Sequence, residues 1–134
     1  MATRYLLDTS TVSDIIVENE IAIQHLRSVP VDSVSISTIS EAELLFGAIK
    51  RNRSKPLAQA INAFLRRVAV ISWDSHAAAR YAELRFDQER TGTSLSAMDM
   101  LIAAQAVALS ATLVTSDRAF HRIKGLVVVD WRMP

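Results

Sequence analysis

The 134-residue sequence contains no cysteine and only three glycines. Without cysteine the chain has no disulfide, no thiolate zinc site and no cysteine nucleophile, and this absence favours a reducing cytoplasm. No glycine follows the first apolar run, where a dinucleotide-binding fold needs a glycine-rich turn, and no Gly-Lys-Ser or Gly-Lys-Thr phosphate loop is present. A Gly-x-Ser-x-Gly elbow is also missing, so a serine hydrolase has no support.

Long hydrophobic runs and an excess of one charge are absent as well. No window approaches the roughly 18 apolar residues that a membrane span needs, and the apolar run near the N-terminus is too short for a signal peptide. The composition is 50% hydrophobic, which argues against disorder, and 15 basic residues nearly balance 14 acidic ones. We therefore expect one soluble domain over residues 1–134, without a membrane-bound segment.

Five short apolar segments alternate with helical patterns along the chain. Because the segments are almost continuously apolar, they are expected to be buried on both faces, as in a parallel sheet. The prediction is an α/β three-layer sandwich with a central, mostly parallel five-stranded sheet flanked by helices. The predicted strands are 4–8, 34–39, 68–73, 112–116 and 126–131; the predicted helices lie in 11–28 (one broken or two short), 41–50, 56–67, 75–90 and 97–109, with the clearest loop at 91–94.

Four acidic residues occupy positions that such a sheet gathers at one edge. Asp8 and Asp117 each end a predicted strand. Glu43 and Asp99 each follow a serine by three residues, which is the spacing of a capping box and predicts the first turn of a helix. Ligands of open parallel sheets bind beyond the carboxyl ends of the strands, where the following helices begin. The two serines are Ser40 and Ser96.

Four clustered carboxylates repel one another unless protons or a hard divalent cation neutralise them. Divalent cations also activate water and stabilise the charge of a phosphodiester transition state, so the set indicates a metal-dependent hydrolase. Four acids suit either two ions roughly 4 Å apart or one ion with a carboxylate that orients water. Setting the four aside leaves 10 acids against 15 bases, a surplus that suits a polyanionic substrate.

The neighbours of these acids have two interpretations each. Hydroxyl groups beside the strand-end aspartates either orient the ligands of the site or cap helices and turns, and the basic runs either grip phosphates or form a solvated surface. Glu41 competes with Glu43, because residues two apart on a helix face different sides. The hydroxyl residues are Thr9, Ser10, Thr115 and Ser116; the basic runs contain Lys50, Arg51, Arg53 and Lys55, and then Arg118, His121, Arg122 and Lys124.

Four segments in order resemble the signature segments of the PIN-domain ribonucleases, and are most similar to those of the VapC toxins of bacterial toxin-antitoxin pairs. They are Leu6-Leu7-Asp8-Thr9-Ser10, Ser40 to Ala48 with its Glu43-Leu44-Leu45 core, Asp99 to Ala106, and Thr112 to Asp117. The resemblance implies that Asp8, Glu43, Asp99 and Asp117 bind Mg2+ or Mn2+. In relatives the fourth acid is often asparagine, and the aspartate here is compatible with that pattern.

The same resemblance implies a cytoplasmic endoribonuclease that leaves a 5′-phosphate and a 3′-hydroxyl, forms a homodimer, and is silenced by a VapB-like antitoxin in a hetero-oligomer. RNA contacts are expected from Arg118, His121, Arg122, Lys124, Lys50 and Arg51. The apolar faces of the helices in 11–28 and 41–65 are expected to receive the antitoxin, with a basic group against the acids. Two alternatives are a non-catalytic PIN-like module that binds RNA or protein, and a metal-dependent DNA nuclease.

Overall fold

The computed structural model describes residues 2–52, 54–92 and 95–134. Arg53 of the first basic run, and Thr93 and Ser94 of the predicted loop, lie outside the described residues. In the described part of the chain, no helix is long and apolar enough to cross a membrane. The strands are β1 (Tyr5–Leu7), β2 (Val34–Ser37), β3 (Ala69–Ile71), β4 (Thr112–Val114) and β5 (Val127–Val129); the helices are α1 (Thr9–Ile16), α2 (Glu20–Arg27), α3 (Thr38–Lys50), α4 (Lys55–Arg67), α5 (Ser75–Thr91) and α6 (Ala97–Ala108), with 3-10 turns at Val31–Ser33 and Arg118–Arg122.

The five strands form one sheet in the order β3-β2-β1-β4-β5, and every neighbouring pair is parallel. Strand β1 lies in the middle, with Leu6 opposite Leu113 of β4. The carboxyl ends of all five strands therefore meet at one edge of the sheet. This confirms the predicted parallel five-stranded sheet, although each strand is shorter than expected because the polar residues at its carboxyl end turn into caps and loops.

Alternation along the central strands divides the core into two halves. Leu7 and Val114 face a cluster built mainly from α1, α2, α3 and α4. Leu6 and Leu113 face the opposite way, toward α5, α6 and the turn at Arg118–Arg122. All four side chains are fully buried, so the sheet is covered on both sides as the continuous apolar pattern predicts. The three-layer sandwich is confirmed, and so are the two short helices in 11–28.

The start of α3 differs from the prediction. Ser37, not Ser40, is the N-cap, because its Oγ accepts a hydrogen bond from the amide of Ile39 at 2.9 Å. Ser40 lies inside the helix, fully buried, and its Oγ has no hydrogen-bond partner among the described residues. The prediction of a capping box from Ser40 to Glu43 is therefore wrong, and Glu43 lies in the second turn of α3. Ser37, Thr38 and Ser40 all carry hydroxyl groups near the start of α3, and tertiary packing determines which of them is the N-cap.

The start of α6 agrees with its prediction. Ser96 is the N-cap and its Oγ accepts a hydrogen bond from the amide of Asp99 at 3.1 Å. This bond fixes Asp99 in the first turn. Asp74 is likewise the N-cap of α5, where its Oδ1 accepts a hydrogen bond from the amide of Ala77 at 3.1 Å.

Candidate active site

Two of the four acids lie where the neighbouring strands β1 and β4 end. Asp8 directly follows β1 and is the N-cap of α1, where its Oδ1 accepts a hydrogen bond from the amide of Thr11 at 2.8 Å. Asp117 follows β4 by three residues and caps the turn at Arg118–Arg122 through the amide of Ala119 at 2.9 Å. The two loops are tied together, because the hydroxyl of Thr11 donates to the carbonyl of Val114 at 3.0 Å. Asp8 is buried and Asp117 is exposed.

The other two acids come from helices that open at the same edge. Asp99 stands in the first turn of α6. Glu43 stands in the second turn of α3, but side chains on a helix tilt toward its N-terminus, so a long glutamate there covers the first turn. Its Oε1 accepts a hydrogen bond from the hydroxyl of Thr9 at 2.6 Å, which joins α3 to the residue directly after Asp8.

The pKa of Asp99 shows that the other three carboxylates are close enough to act on it. Partial burial raises the pKa of Asp99 above its ordinary value, and the hydrogen bond with Ser96 opposes that rise. The negative charges of Asp117, Asp8 and Glu43 raise the pKa further. Asp99 is thus within electrostatic reach of the three other acids, as a shared site requires.

The four carboxylates are near each other without converging on one point. Within residues 2–52, 54–92 and 95–134, no three histidine, aspartate or glutamate side chains form a group that could hold a metal ion. Asp8, Glu43 and Asp117 each accept a hydrogen bond from a nearby donor of the protein. The acids are gathered at one edge, and their oxygens are engaged with protein donors there.

Residues 5–126 match the sequence model of the PIN domain. This chain belongs to the PIN-domain family. Among curated proteins, it is 34% identical over 101 residues to ribonuclease VapC2 of Rickettsia felis, covering 75% of each chain. It is 29% identical over 129 residues to the tRNA(fMet)-specific endonuclease VapC of Salmonella typhimurium, covering 96% of this chain and 98% of the relative.

Solved structures give the same placement within the PIN-domain family. A chain of VapBC2 from Rickettsia felis, crystallised with a DNA fragment from the promoter, superposes with a TM-score of 0.90 at 30% identity, covering 96% of this chain and 99% of that one. A chain of the DNA-bound VapBC from Salmonella typhimurium also has a TM-score of 0.90, at 28% identity, covering 97% and 99%. The predicted resemblance to VapC-type PIN domains is confirmed.

The hydroxyl residues of this PIN domain have different partners. Thr9 contacts Glu43, whereas the Oγ1 of Thr115 accepts from the amide of Asp117 at 3.1 Å and so shapes the turn. Ser116 donates a hydrogen bond to Oδ1 of Asp130 at 2.6 Å, and Asp130 is not one of the four site acids. Ser10 is exposed on α1. Of the four, Thr9 alone donates a hydrogen bond to the carboxylate of a predicted site acid, within the described residues.

The basic residues predicted to contact RNA form two groups in the structure. One group is in or just after the turn that Asp117 caps, and the other is at the carboxyl end of α3, two turns beyond Glu43. All are exposed: Arg118, His121, Arg122 and Lys124 in the first group, and Lys50 and Arg51 in the second.

Sequence reasoning missed an ion pair beside this site. Arg132, near the end of the chain, binds Asp14 of α1 with Nε to Oδ2 at 2.7 Å and Nη2 to Oδ1 at 3.1 Å. The two partners are 118 positions apart, and no local pattern relates them.

Proposed function

We propose that the protein is a Mg2+- or Mn2+-dependent endoribonuclease that acts in the cytoplasm as the toxin of a type II toxin-antitoxin pair. The observation that carries the proposal is the gathering of four carboxylates at the carboxyl edge of a PIN-domain sheet, where three of them act on the pKa of the fourth. Relatives named ribonuclease or endonuclease VapC support RNA as the substrate.

The chemistry of the four residues fits a hard divalent cation. All are oxygen donors, no cysteine is present to favour a softer ion, and their mutual repulsion is relieved by positive charge. Asp8, Glu43, Asp99 and Asp117 would hold the ion after their side chains turn from the donors that engage them. A bound divalent cation supplies an activated water and neutralises the charge that develops on the phosphate.

The protein's own residues orient this site. The Asp8 loop is fixed by two hydrogen bonds to the carbonyl of Val114, from the amide of Asp8 and from the hydroxyl of Thr11. Thr9 holds the carboxylate of Glu43 toward the same edge. Basic side chains after Asp117 and at the end of α3 attract the RNA backbone, whose phosphates must approach an otherwise negative site.

The inhibitory partner is a VapB-like antitoxin, and the surface offers it a groove. An apolar cavity of ≈ 520 Å³ separates α1 and α2 from α4. Arg27, Arg67 and Glu18 stand in its lining, so an apolar segment with flanking charges matches it. Helices α1, α2 and α4 are among those that the sequence predicts for antitoxin docking, whereas α3 does not line this cavity. Its apolar lining includes Ile15, Ile16, Ile23, Leu26, Val29 and Phe64.

A second, smaller cavity lies next to this groove and is lined by one of the four acids, Glu43. It has a volume of ≈ 180 Å³ and is lined by residues of α1, α3 and α4 that include both Thr9 and Glu43. Ile16 lines both cavities. We expect an antitoxin segment in the groove to extend past Ile16 toward Glu43, where an arginine would pair with the carboxylates and exclude the metal.

Cleavage of RNA by the purified chain tests the nuclease proposal. The protein, freed of any partner, is incubated with total RNA in Mg2+, in Mn2+ or in EDTA, and the cut ends are mapped. Metal-dependent internal cuts with 5′-phosphate ends are expected. Equal cutting of single-stranded DNA would favour a DNA nuclease, and binding without cutting would favour a non-catalytic module.

Growth of a bacterial host tests the toxin proposal separately. Expression of the chain alone should arrest growth, and co-expression of a small antitoxin encoded beside it should restore growth through a complex that can be purified. Expression of the Asp99→Asn protein is the matched control and should be harmless. If active, folded protein accumulates without harm, the toxin role is wrong while the nuclease proposal stands. Size-exclusion chromatography with light scattering then reports whether the chain is a homodimer.

A further inference from the structure

The C-terminal segment carries Arg132 between two anchors. Trp131 is buried, lies 5.7 Å from the ring of Tyr5 and stacks on His25 with ring centroids 5.9 Å apart. On the other side, the carbonyl of Met133 lies 2.6 Å from Nε2 of His25. The backbone of Arg132 is therefore held firmly although its side chain is half exposed.

The side chain of Arg132 is fixed as well. Asp14 engages one edge of the guanidinium through Nε and Nη2, and Asp130 accepts a hydrogen bond from the Arg132 amide at 2.9 Å. A guanidinium has five N–H donors in a planar fork, so the edge formed by Nη1 and Nη2 keeps donors for another anion. Across residues 2–52, 54–92 and 95–134, Nη1 meets no hydrogen-bond acceptor.

One partner of Arg132 lies on a helix capped by a site acid, and the other, which follows β5, is hydrogen-bonded to the loop that carries a second site acid. Asp14 is on α1, whose N-cap is Asp8. Asp130 accepts from Ser116, the residue before Asp117. The pKa of Arg132 is held above its ordinary value chiefly by Asp14, and the negative charge of Asp8 contributes to the same rise. The guanidinium thus stands within electrostatic reach of the acidic edge.

We propose that Arg132, held by Asp14, is a preorganised phosphate-binding residue that positions the RNA backbone beside the four carboxylates. The inference rests on the proposed ribonuclease function. A cation already fixed in place loses little conformational freedom when it binds, and its free edge matches two oxygens of one phosphate.

The alternative role for Arg132 is purely structural: its ion pair with Asp14 would hold the C-terminal segment against α1. Loss of a structural ion pair lowers stability, whereas loss of a phosphate contact lowers RNA affinity and changes its dependence on salt. The two roles therefore separate in a binding measurement made on folded protein. Arg85 of α5 supplies a matched control, since it is also exposed and ion-paired, to Glu89 at 3.0 Å, but it lies in the other helix layer.

Binding is measured in the Asp99→Asn background, without metal, to a labelled single-stranded RNA of mixed sequence and about 30 nucleotides, long enough for one binding site. Arg132→Gln should weaken binding about tenfold at low salt and reduce the slope of log Kd against log salt by about 0.7. Arg132→Lys, which keeps the charge but not the fork, should keep the slope and recover part of the affinity. Arg85→Gln should leave both unchanged.

A double-mutant cycle tests the positioning by Asp14. Asp14→Asn should lower RNA affinity when Arg132 is present and should not do so in the Arg132→Gln protein.

Thermal unfolding of each variant confirms that folded proteins are compared. If Arg132→Gln fails to fold, Arg132→Lys replaces it in the comparison of RNA affinities. If Arg132→Gln and Arg85→Gln have the same RNA affinity and the same slope of log Kd against log salt, the inference is overturned and the Arg132 ion pair is only structural. If the wild-type chain neither binds nor cleaves RNA in the presence of Mg2+ or Mn2+, the proposed ribonuclease function itself is wrong.

Discussion

At the scale of single residues, Asp99 carries the electrostatic strain of the site. Its folded-state pKa is raised above the ordinary value of 3.8, first by burial and then by Asp117, Asp8 and Glu43. At pH values between 3.8 and the raised pKa of the folded state, Asp99 is protonated in the folded protein more often than in the unfolded chain. The free energy of unfolding therefore falls as pH rises through this window. The destabilisation persists at neutral pH in the absence of metal.

Asp99→Asn should remove this strain while abolishing activity. RNA cleavage should fall by more than the roughly 10- to 100-fold typical of losing a residue that only orients a ligand. The melting temperature of the metal-free protein should rise at pH 7, and the gain should shrink as pH is lowered through the window above 3.8. Thermal unfolding of both proteins in EDTA across this pH range measures the difference in melting temperature. A gain that is the same at every pH would contradict the electrostatic explanation.

Thr9 is predicted to be a positioning residue for Glu43. Thr9→Val keeps the shape of the side chain and removes the donor that lies 2.6 Å from Oε1 of Glu43. Cleavage and Mn2+ affinity should fall by about 10- to 100-fold, as for other residues that orient a metal ligand. Thr9→Ser retains the hydroxyl and should retain most of both. Identical losses in the two variants would show that packing of the methyl group, not the hydrogen bond, matters.

At the scale of elements, the phase of α3 determines which glutamate reaches the site. Glu43 bonds to Thr9 and acts on Asp99, whereas Glu41 is not among the residues that shift the pKa of Asp99. Glu43→Gln should therefore abolish metal-dependent cleavage, and Glu41→Gln should reduce it by less than about threefold, as for a surface change away from the site. Calorimetric titration of Mn2+ checks this without RNA. The reverse ranking would mean that the helix face is assigned wrongly.

The groove between α1, α2 and α4 gives a second prediction at this scale. A charge buried under a docked apolar segment is costly, so Leu26→Asp should weaken antitoxin binding by about 100-fold or more while RNA cleavage persists. Val127→Asp is the control, because Val127 is exposed on the edge strand β5, outside the groove. Biolayer interferometry with purified antitoxin measures both. Equal affinity of Leu26→Asp and wild type would place the antitoxin elsewhere.

At the scale of the whole molecule, Trp131 closes the C-terminus onto the layer formed by α1 to α4. It is 4% exposed and packs in that core with Tyr5. Trp131→Ala should lower the free energy of unfolding by about 3–5 kcal/mol, as expected for truncating a buried aromatic residue. Met133→Ala, in the same segment but 60% exposed, should change it by less than about 0.5 kcal/mol. Urea denaturation compares them, and similar losses would mean that Trp131 is not part of the core.

Local sequence determined the elements and their order. Apolar runs without alternation specified buried parallel strands, and the serine before Asp99 specified where α6 begins, because caps act on amides within the same turn. The four acids could be selected from the amino-acid pattern alone, since two end strands and two lie on helices at the same edge. That residues 1–134 form one domain remains a prediction.

Tertiary structure decided what depends on contacts between distant segments. It chose Ser37 over Ser40 as the cap of α3, because burial of Ser40 inside the helix is a property of the packed core. It paired Thr9 with Glu43, and Arg132 with Asp14 across 118 positions. The sequence carries no signal for such pairs, because side chains far apart along the chain meet only when the sheet order brings their elements together. The sequence by itself therefore determined the candidate acids and the fold class, and the folded chain alone determined how those acids are oriented and which cation stands beside them.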